Sequence, residues 1–190
     1  MFPSREAKAD LLVYAGAYFD QYGTLDLNTG VFTKLGSPGD MSGFGEVGGK
    51  LYAGAESGGA TYSVNPANGS DTPVGVGSAT YDAFGSTTTG LFGVSLPSIG
   101  NPFLTYSVNP ASGAATLLGS TGQMIGNGGV TGISSGSSTL YWTWTPLSGG
   151  GNSILYSLNP TTGFATAIGN TGGLIGAMVF VNGTLVRRGH

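Results

Sequence analysis

Leu155-Tyr156-Ser157-Leu158-Asn159-Pro160-Thr161-Thr162-Gly163-Phe164-Ala165-Thr166-Ala167-Ile168-Gly169 reads as two short strands joined by a tight turn. Apolar and polar residues alternate on both sides of an Asn-Pro-x-x-Gly segment, in which proline presets φ and glycine accepts the positive φ that closes the turn. The same hairpin recurs. Tyr106-Ser107-Val108-Asn109-Pro110-Ala111-Ser112-Gly113 leads into Ala115-Thr116-Leu117-Leu118-Gly119, and Tyr62-Ser63-Val64-Asn65-Pro66-Ala67-Asn68-Gly69 leads into Asp71-Thr72-Pro73-Val74-Gly75. A copy without the proline opens the chain, Leu25-Asp26-Leu27-Asn28-Thr29-Gly30 running into Val31-Phe32-Thr33-Lys34-Leu35-Gly36.

Between these outer hairpins lies a second repeated piece. Gly176 to Val181 reaches Asn182-Gly183 and returns as Thr184-Leu185-Val186, the pattern of a type I′ hairpin. Phe44 to Val47 with Lys50 to Gly54, Ala79 to Phe84 with Gly90 to Gly93, and Val130 to Ile133 with Thr139 to Trp144 are its counterparts. Each repeat is therefore two successive hairpins, or four short antiparallel strands. The turn glycines Gly30, Gly69, Gly113 and Gly163 recur every 39 to 50 residues, and four-stranded repeats of that length are expected of β-propeller blades. The expected fold is all-β, a single propeller domain over residues 11–190 preceded by a tail at 1–10. Three whole blades fall at about 41–76, 79–120 and 128–170. Residues 11–36 and 176–186 supply pieces of a fourth, Leu12 to Ala17 matching Tyr52 to Ala55 as a second strand. Two outcomes follow. Either Gly176 to Val181 pairs beside Leu12 to Ala17 and closes a four-bladed ring with Thr184 to Gly189 displaced, or the chain is a piece of a larger propeller with open strand edges that invite self-association.

Composition narrows the function classes. The 190 residues carry only 8 % charged side chains and a formal net charge of -3. The basic residues are Arg5, Lys8, Lys34, Lys50, Arg187 and Arg188, which form no patch, so no nucleic-acid partner is expected. There is no cysteine, which excludes disulfides and thiolate metal sites, and no apolar run long enough to span a bilayer. Ala7-Lys8-Ala9 before Asp10 has the small-x-small form of a signal-peptidase site, but Pro3, Arg5 and Glu6 interrupt any apolar segment before it.

The chemistry available is unevenly placed. All nine carboxylates lie at or before Asp82, and Ala83 to Val186 contains no Asp, Glu, Lys, Arg or His. The single histidine is His190, so a Ser/His/Asp nucleophile or a multi-imidazole zinc site is not expected, nor is any cofactor. Glu46, Glu56, Asp71 and Asp82 remain as candidates for a paired-carboxylate polysaccharide lyase or hydrolase, although their spacing matches no motif and solvated turn or strand-face carboxylates are the favoured reading of them. Tyr141, Trp142 and Trp144 replace small residues of the other repeats, and alternation puts Trp142 and Trp144 on one face. They are the candidate ligand-binding residues, as a stacking platform for sugar rings, with inter-blade core as the other reading. Asn68-Gly69-Ser70 and Asn182-Gly183-Thr184 match the glycosylation pattern but sit where turns require Asn-Gly.

At the outer hairpins, best in Leu155 to Gly169, the chain resembles a loose class of bacterial exported repeat proteins. Their blades read roughly Leu-Tyr-x-Ile-Asn-Pro-x-Thr-Gly-x-x-Thr-x-Ile-Gly. Some members carry a Pro-Glu-Pro sorting segment with a membrane helix and basic tail, which Arg187-Arg188-Gly189-His190 does not reproduce. The resemblance covers most of residues 11–186 and implies an extracellular or periplasmic location. The expected function is a non-enzymatic binding or surface interaction module, with neutral glycans or another protein as partners. The carboxylate-dependent enzyme and a structural, self-assembling module are the alternatives.

Overall fold

The computed structural model describes residues 11–17, 21–39, 41–76, 79–124, 129–134, 137–146 and 151–189. The signal-like segment before Asp10 and the terminal histidine lie outside them. The described chain is all-β, with four antiparallel sheets arranged as the blades of a β-propeller. The first blade has three strands, β1 (Leu12–Ala17), β2 (Gln21–Asp26) and β3 (Phe32–Gly36). The second has β4 (Met41–Val47), β5 (Lys50–Ala55), β6 (Ala60–Val64) and β7 (Asp71–Val76). The third has β8 (Ala83–Ser86), β9 (Leu91–Ser95), β10 (Pro102–Val108) and β11 (Ala115–Met124). The fourth has β12 (Gly129–Ile133), β13 (Leu140–Pro146), β14 (Ile154–Leu158) and β15 (Ala165–Asn170). A two-stranded sheet, β16 (Ile175–Val181) with β17 (Thr184–Gly189), follows it.

The recurring turn explains its own sequence. In all four outer hairpins the glycine N–H donates to the carbonyl four residues back: Gly69 to Asn65 at 2.8 Å, Gly113 to Asn109 at 2.8 Å, Gly163 to Asn159 at 2.9 Å and Gly30 to Asp26 at 2.7 Å. The first side chain closes a second ring, Asn65, Asn109 and Asn159 Oδ1 each accepting from the N–H two residues on. Asp26 does the same for Asn28 at 2.8 Å, so the copy without proline keeps the turn by exchanging an amide for a carboxylate. Hydrogen bonds from Thr29 first, and then from Asn28, hold the Asp26 carboxyl below its usual range. Each closing glycine has φ between 68° and 73°, which a side chain would strain.

Past the turn, each outer hairpin slips register at the same place. Thr61 pairs with Gly75 but Tyr62 with Pro73, Thr105 with Gly119 but Tyr106 with Leu117, and Leu155 with Gly169 but Tyr156 with Ala167. Tyr22 with Gly36 and Gly23 with Lys34 complete the series. The unpaired residue of each bulge is the aliphatic one just before the glycine: Leu35, Val74, Leu118 and Ile168. The bulge bends the strand and brings the glycine against the next blade. A Cβ at Gly36 would overlap the Asn68 carbonyl, one at Gly75 the Ser112 carbonyl, and one at Gly119 the Thr162 carbonyl. Blade-to-blade contact is thus one interface used three times: a bulge glycine under the Asn-Pro-x-x-Gly turn of the following blade.

Toward the axis the innermost strands pack as tightly. A Cβ at Gly43 would meet the Phe84 backbone, and one at Gly85 would meet Ile133 and the Ser134 carbonyl. The Glu46 N–H donates to Ser86 Oγ at 3.0 Å and the Ser86 N–H to the Ser134 carbonyl at 3.3 Å. Three apolar clusters fill the inter-blade spaces. Tyr22, Leu51, Ala53 and Val64 lie between the first and second blades, and Tyr52, Tyr81, Phe84, Leu91 and Val108 between the second and third. Val94, Phe103, Ile133, Leu140, Trp142 and Tyr156 lie between the third and fourth. No helix among the described residues is long and apolar enough to cross a membrane.

The closing pairing expected for a single-chain ring is not formed. Among the described residues β1 pairs with β2, and β16 with β17 in the register Phe180 opposite Leu185. Because β17 follows β16 through a two-residue turn with Asn182 and Gly183 at φ 49° and 77°, it takes the second-strand place at no loop-closure cost. The tail is therefore part of a sheet rather than displaced.

Candidate functional site

The three aromatic residues of β13 do not form one surface. Trp142 is 0 % exposed. Its ring lies 4.9 Å from that of Tyr156 and 5.1 Å, edge-on, from that of Phe103 of the neighbouring blade. Both faces are covered, so no sugar ring can stack there, and the platform reading of Trp142 gives way to the core one. Trp144 shares that face and packs against the same cluster, its indole N–H buried with no acceptor among the described residues. Tyr141 points to the other side of the sheet and stands 5.6 Å from Phe180 of β16. Strand alternation separates it from both tryptophans.

The carboxylates are split by topology. Glu46 pairs with Leu51, Leu51 with Val64, and Val64 with Asp71, so Glu46 and Asp71 sit at opposite margins of one sheet. Three strand spacings separate their backbones, roughly 14 Å, beyond the separation that glycosidase carboxylates use. Glu56 and Asp82 belong to the other end of the blades, where the Tyr81 N–H donates to the Ala55 carbonyl at 3.1 Å. Glu56 is exposed. Asp82 is half-buried and its Oδ2 accepts from the Leu96 N–H at 2.6 Å. Desolvation by burial raises the Asp82 pKa above its usual 3.8 against the lowering effect of that hydrogen bond. The described residues hold no group of three or more His, Cys, Asp or Glu placed to bind a metal ion.

A raised carboxyl pKa has a defined sign in stability. The folded protein holds the proton more tightly than the unfolded chain, so stability gains as pH falls through the folded pKa toward 3.8, and Asp82 costs stability at neutral pH. Asp82→Asn keeps an oxygen for the Leu96 N–H and removes the charge. Its unfolding midpoint in urea is expected to equal or exceed that of the parent at pH 7, with the parent recovering the difference as the pH is lowered toward 4. An Asn variant clearly less stable at pH 7 would show that the charge itself is needed.

An open cleft on the fourth blade's outer hairpin was not singled out by the residue pattern. It measures about 520 Å³ and is lined by Ser157, Leu158, Asn159, Pro160, Thr162, Phe164 and Thr166. The turn described above builds it. The Asn159 side chain is held by the N–H groups of Thr161 and Thr162, which fixes the loop and leaves Phe164 just before the returning strand. Phe164 is 54 % exposed, its ring edge resting near Gly122 of β11. The sequence carried a signal for it: Phe164 stands where the other hairpins have Val31, Ser70 and Ala114. No protein-family model matches the chain, and no curated protein aligns with it significantly.

Proposed function

We propose that this protein is a non-enzymatic, exported binding module that holds a neutral polar chain, such as a glycan, against the outer hairpin of its fourth blade. The observation that carries this reading is the cleft at Phe164. It offers hydroxyls of Ser157, Thr162 and Thr166, the Asn159 amide and one aromatic ring, and no titratable group. Such a set recognises sugars by hydrogen bonds and by stacking of apolar ring faces, and suits neutral ligands better than charged ones. Export is supported by the likeness of the blades to exported bacterial repeat proteins.

Retention on a panel of immobilised or gel-embedded neutral polysaccharides tests the reading. At least one is expected to retard the protein, and Phe164→Ala is expected to weaken that binding at least about tenfold. Because Phe164 is exposed, its loss should leave thermal stability within the range of ordinary surface substitutions, about 0.5 kcal/mol. Failure of every neutral glycan to bind, or undiminished binding by the Ala variant, would rule the cleft out. The carboxylate-enzyme alternative is favoured only by Asp82, whose raised pKa and nearness to the Glu56 end of the blade fit a general acid. Polysaccharide turnover that disappears in Asp82→Asn would replace the binding reading.

A further inference from the structure

The repeated blade interface is left half-made at each end of the chain, and the two halves are complementary. Gly36, Gly75 and Gly119 each lie under the turn of a following blade, at Asn68, Ser112 and Thr162. Gly169 is the fourth bulge glycine, and among the described residues a Cβ there would meet nothing within 4 Å. Among the turn glycines, Gly69 lies against Tyr22, Gly113 against Gly75 and Gly163 against Gly119, whereas Gly30 also has nothing within 4 Å of a Cβ. One bulge glycine without a turn and one turn without a bulge glycine remain.

Their surroundings match. Beside Gly169 is a hollow of about 440 Å³ lined by Leu155, Ile168, Asn170, Met178 and Leu185 among others. Ile168 is 56 % exposed there, while its counterparts Val74 and Leu118 pack against the core and Leu35 is 37 % exposed. At the other end, β1 has no inner strand among the described residues, and Tyr14 is exposed on it, whereas its equivalent in β5, Tyr52, is buried. Tyr14-Ala15-Gly16 stands in register with Tyr52-Ala53-Gly54, and a Cβ on Gly16 or Gly54 would press on Phe44 or Phe84 of the next blade. In β17 the same places hold Val186-Arg187-Arg188, Arg188 pairing with Ala177 as Gly54 pairs with Gly43. By residue type β1 is the better second strand for β16.

We propose that copies of this chain associate head to tail, the Asp26–Gly30 turn of one copy seating over Gly169 of the next. In that contact β1 of the copy that supplies the turn lies beside β16 of the copy that supplies Gly169, whose β17 yields its place. The occupant is a second copy because the required turn, bulge glycine and small-residue strand are all present in the chain at its two unfinished blades. The contact is heterologous, so it builds a ring where its rotation closes and a filament where it does not.

The solution mass of the full chain by light scattering over a range of concentrations tests this. The wild type is expected at two or more chains. Gly169→Ala is expected to fall to the mass of one chain while its circular-dichroism spectrum stays that of the folded protein, because the added methyl meets nothing among the described residues of a single chain and would meet the turn of the second copy. The native chain has no cysteine, which permits a second readout. Thr29→Cys and Ile168→Cys, placed on separate chains and mixed under oxidising conditions, are expected to form a disulfide-linked pair of one chain of each kind. A wild type that stays at one chain at every concentration overturns the proposal. So does a Gly169→Ala variant that keeps the oligomer mass, or a disulfide that forms only within a chain carrying both cysteines.

Discussion

Replacing Trp142 by alanine is expected to destabilise the protein by about 3–5 kcal/mol, the range for removing a large aromatic side chain from a packed core. Trp142 is fully buried and touches two blades at once, through Phe103 of β10 and Tyr156 of β14. Its loss opens a cavity at the seam between the third and fourth blades. The surrounding backbone cannot collapse into it, because the neighbouring blade is held in place by Gly119 under the turn at Thr162. Thr105 Oγ1, which donates to the Gly163 carbonyl at 3.0 Å, adds to that constraint. Urea denaturation followed by tryptophan-independent circular dichroism measures the change, with an unchanged slope showing that two-state unfolding survives. A loss below about 1 kcal/mol would return Trp142 to the surface. The same variant is uninformative about glycan binding, which is why Phe164, more than half exposed, carries that test.

Gly75→Ala is expected to cost about 1–3 kcal/mol or more, an unusual penalty for adding one methyl group. The position is extended backbone, so the strain is steric: the new Cβ overlaps the Ser112 carbonyl, a backbone atom that cannot swing aside as a side chain would. The second and third blades must separate locally, which disturbs the cluster of Tyr52, Tyr81, Phe84, Leu91 and Val108 at that seam. For a chain of this size a loss of 1 kcal/mol lowers the melting temperature by about 2–4 °C. A fall of about 3 °C or more is therefore the expected reading. Gly169→Ala, compared at concentrations where all the proteins are single chains, is the internal control, since the same substitution at the equivalent residue of the last bulge meets nothing within 4 Å among the described residues. Equal melting temperatures for the two variants would mean that the bulge glycines serve the strand bend alone and not the blade contact.

Much of this architecture was legible before any coordinates. The four outer turns, the Asn182-Gly183 hairpin and the grouping of strands by fours followed from residues whose effects are local. Glycine tolerates positive φ, asparagine or aspartate closes a ring onto its own backbone, and alternating apolar residues mark a strand. The aliphatic-glycine ending of each hairpin was visible too, but its two meanings were not. The bulge at Leu35, Val74, Leu118 and Ile168 depends on cross-strand register, and the role of the following glycine depends on a turn some 30 to 45 residues farther on. The aromatic strand was legible, but which of its two readings held, core or exposed platform, was not. Alternation shows that Trp142 and Trp144 share a face and that Tyr141 takes the other. In a stack of blades, however, both faces of a strand can be covered, so alternation cannot say which face meets solvent.

What the sequence by itself determined is the set of local units: four hairpin pairs with self-closing turns, no cysteine chemistry, and a stretch from Ala83 to Val186 without Asp, Glu, Lys, Arg or His. Tertiary structure decided what covers what. It buried Trp142, exposed Phe164, and put Glu46 and Asp71 at opposite margins of one sheet. Among the described residues it also left Gly30 and Gly169 without the partners that the other repeats possess. The reason is one of range: dihedral preferences and neighbouring hydrogen bonds act within a few residues, whereas burial and steric contact are set by segments that only the arrangement of blades brings together.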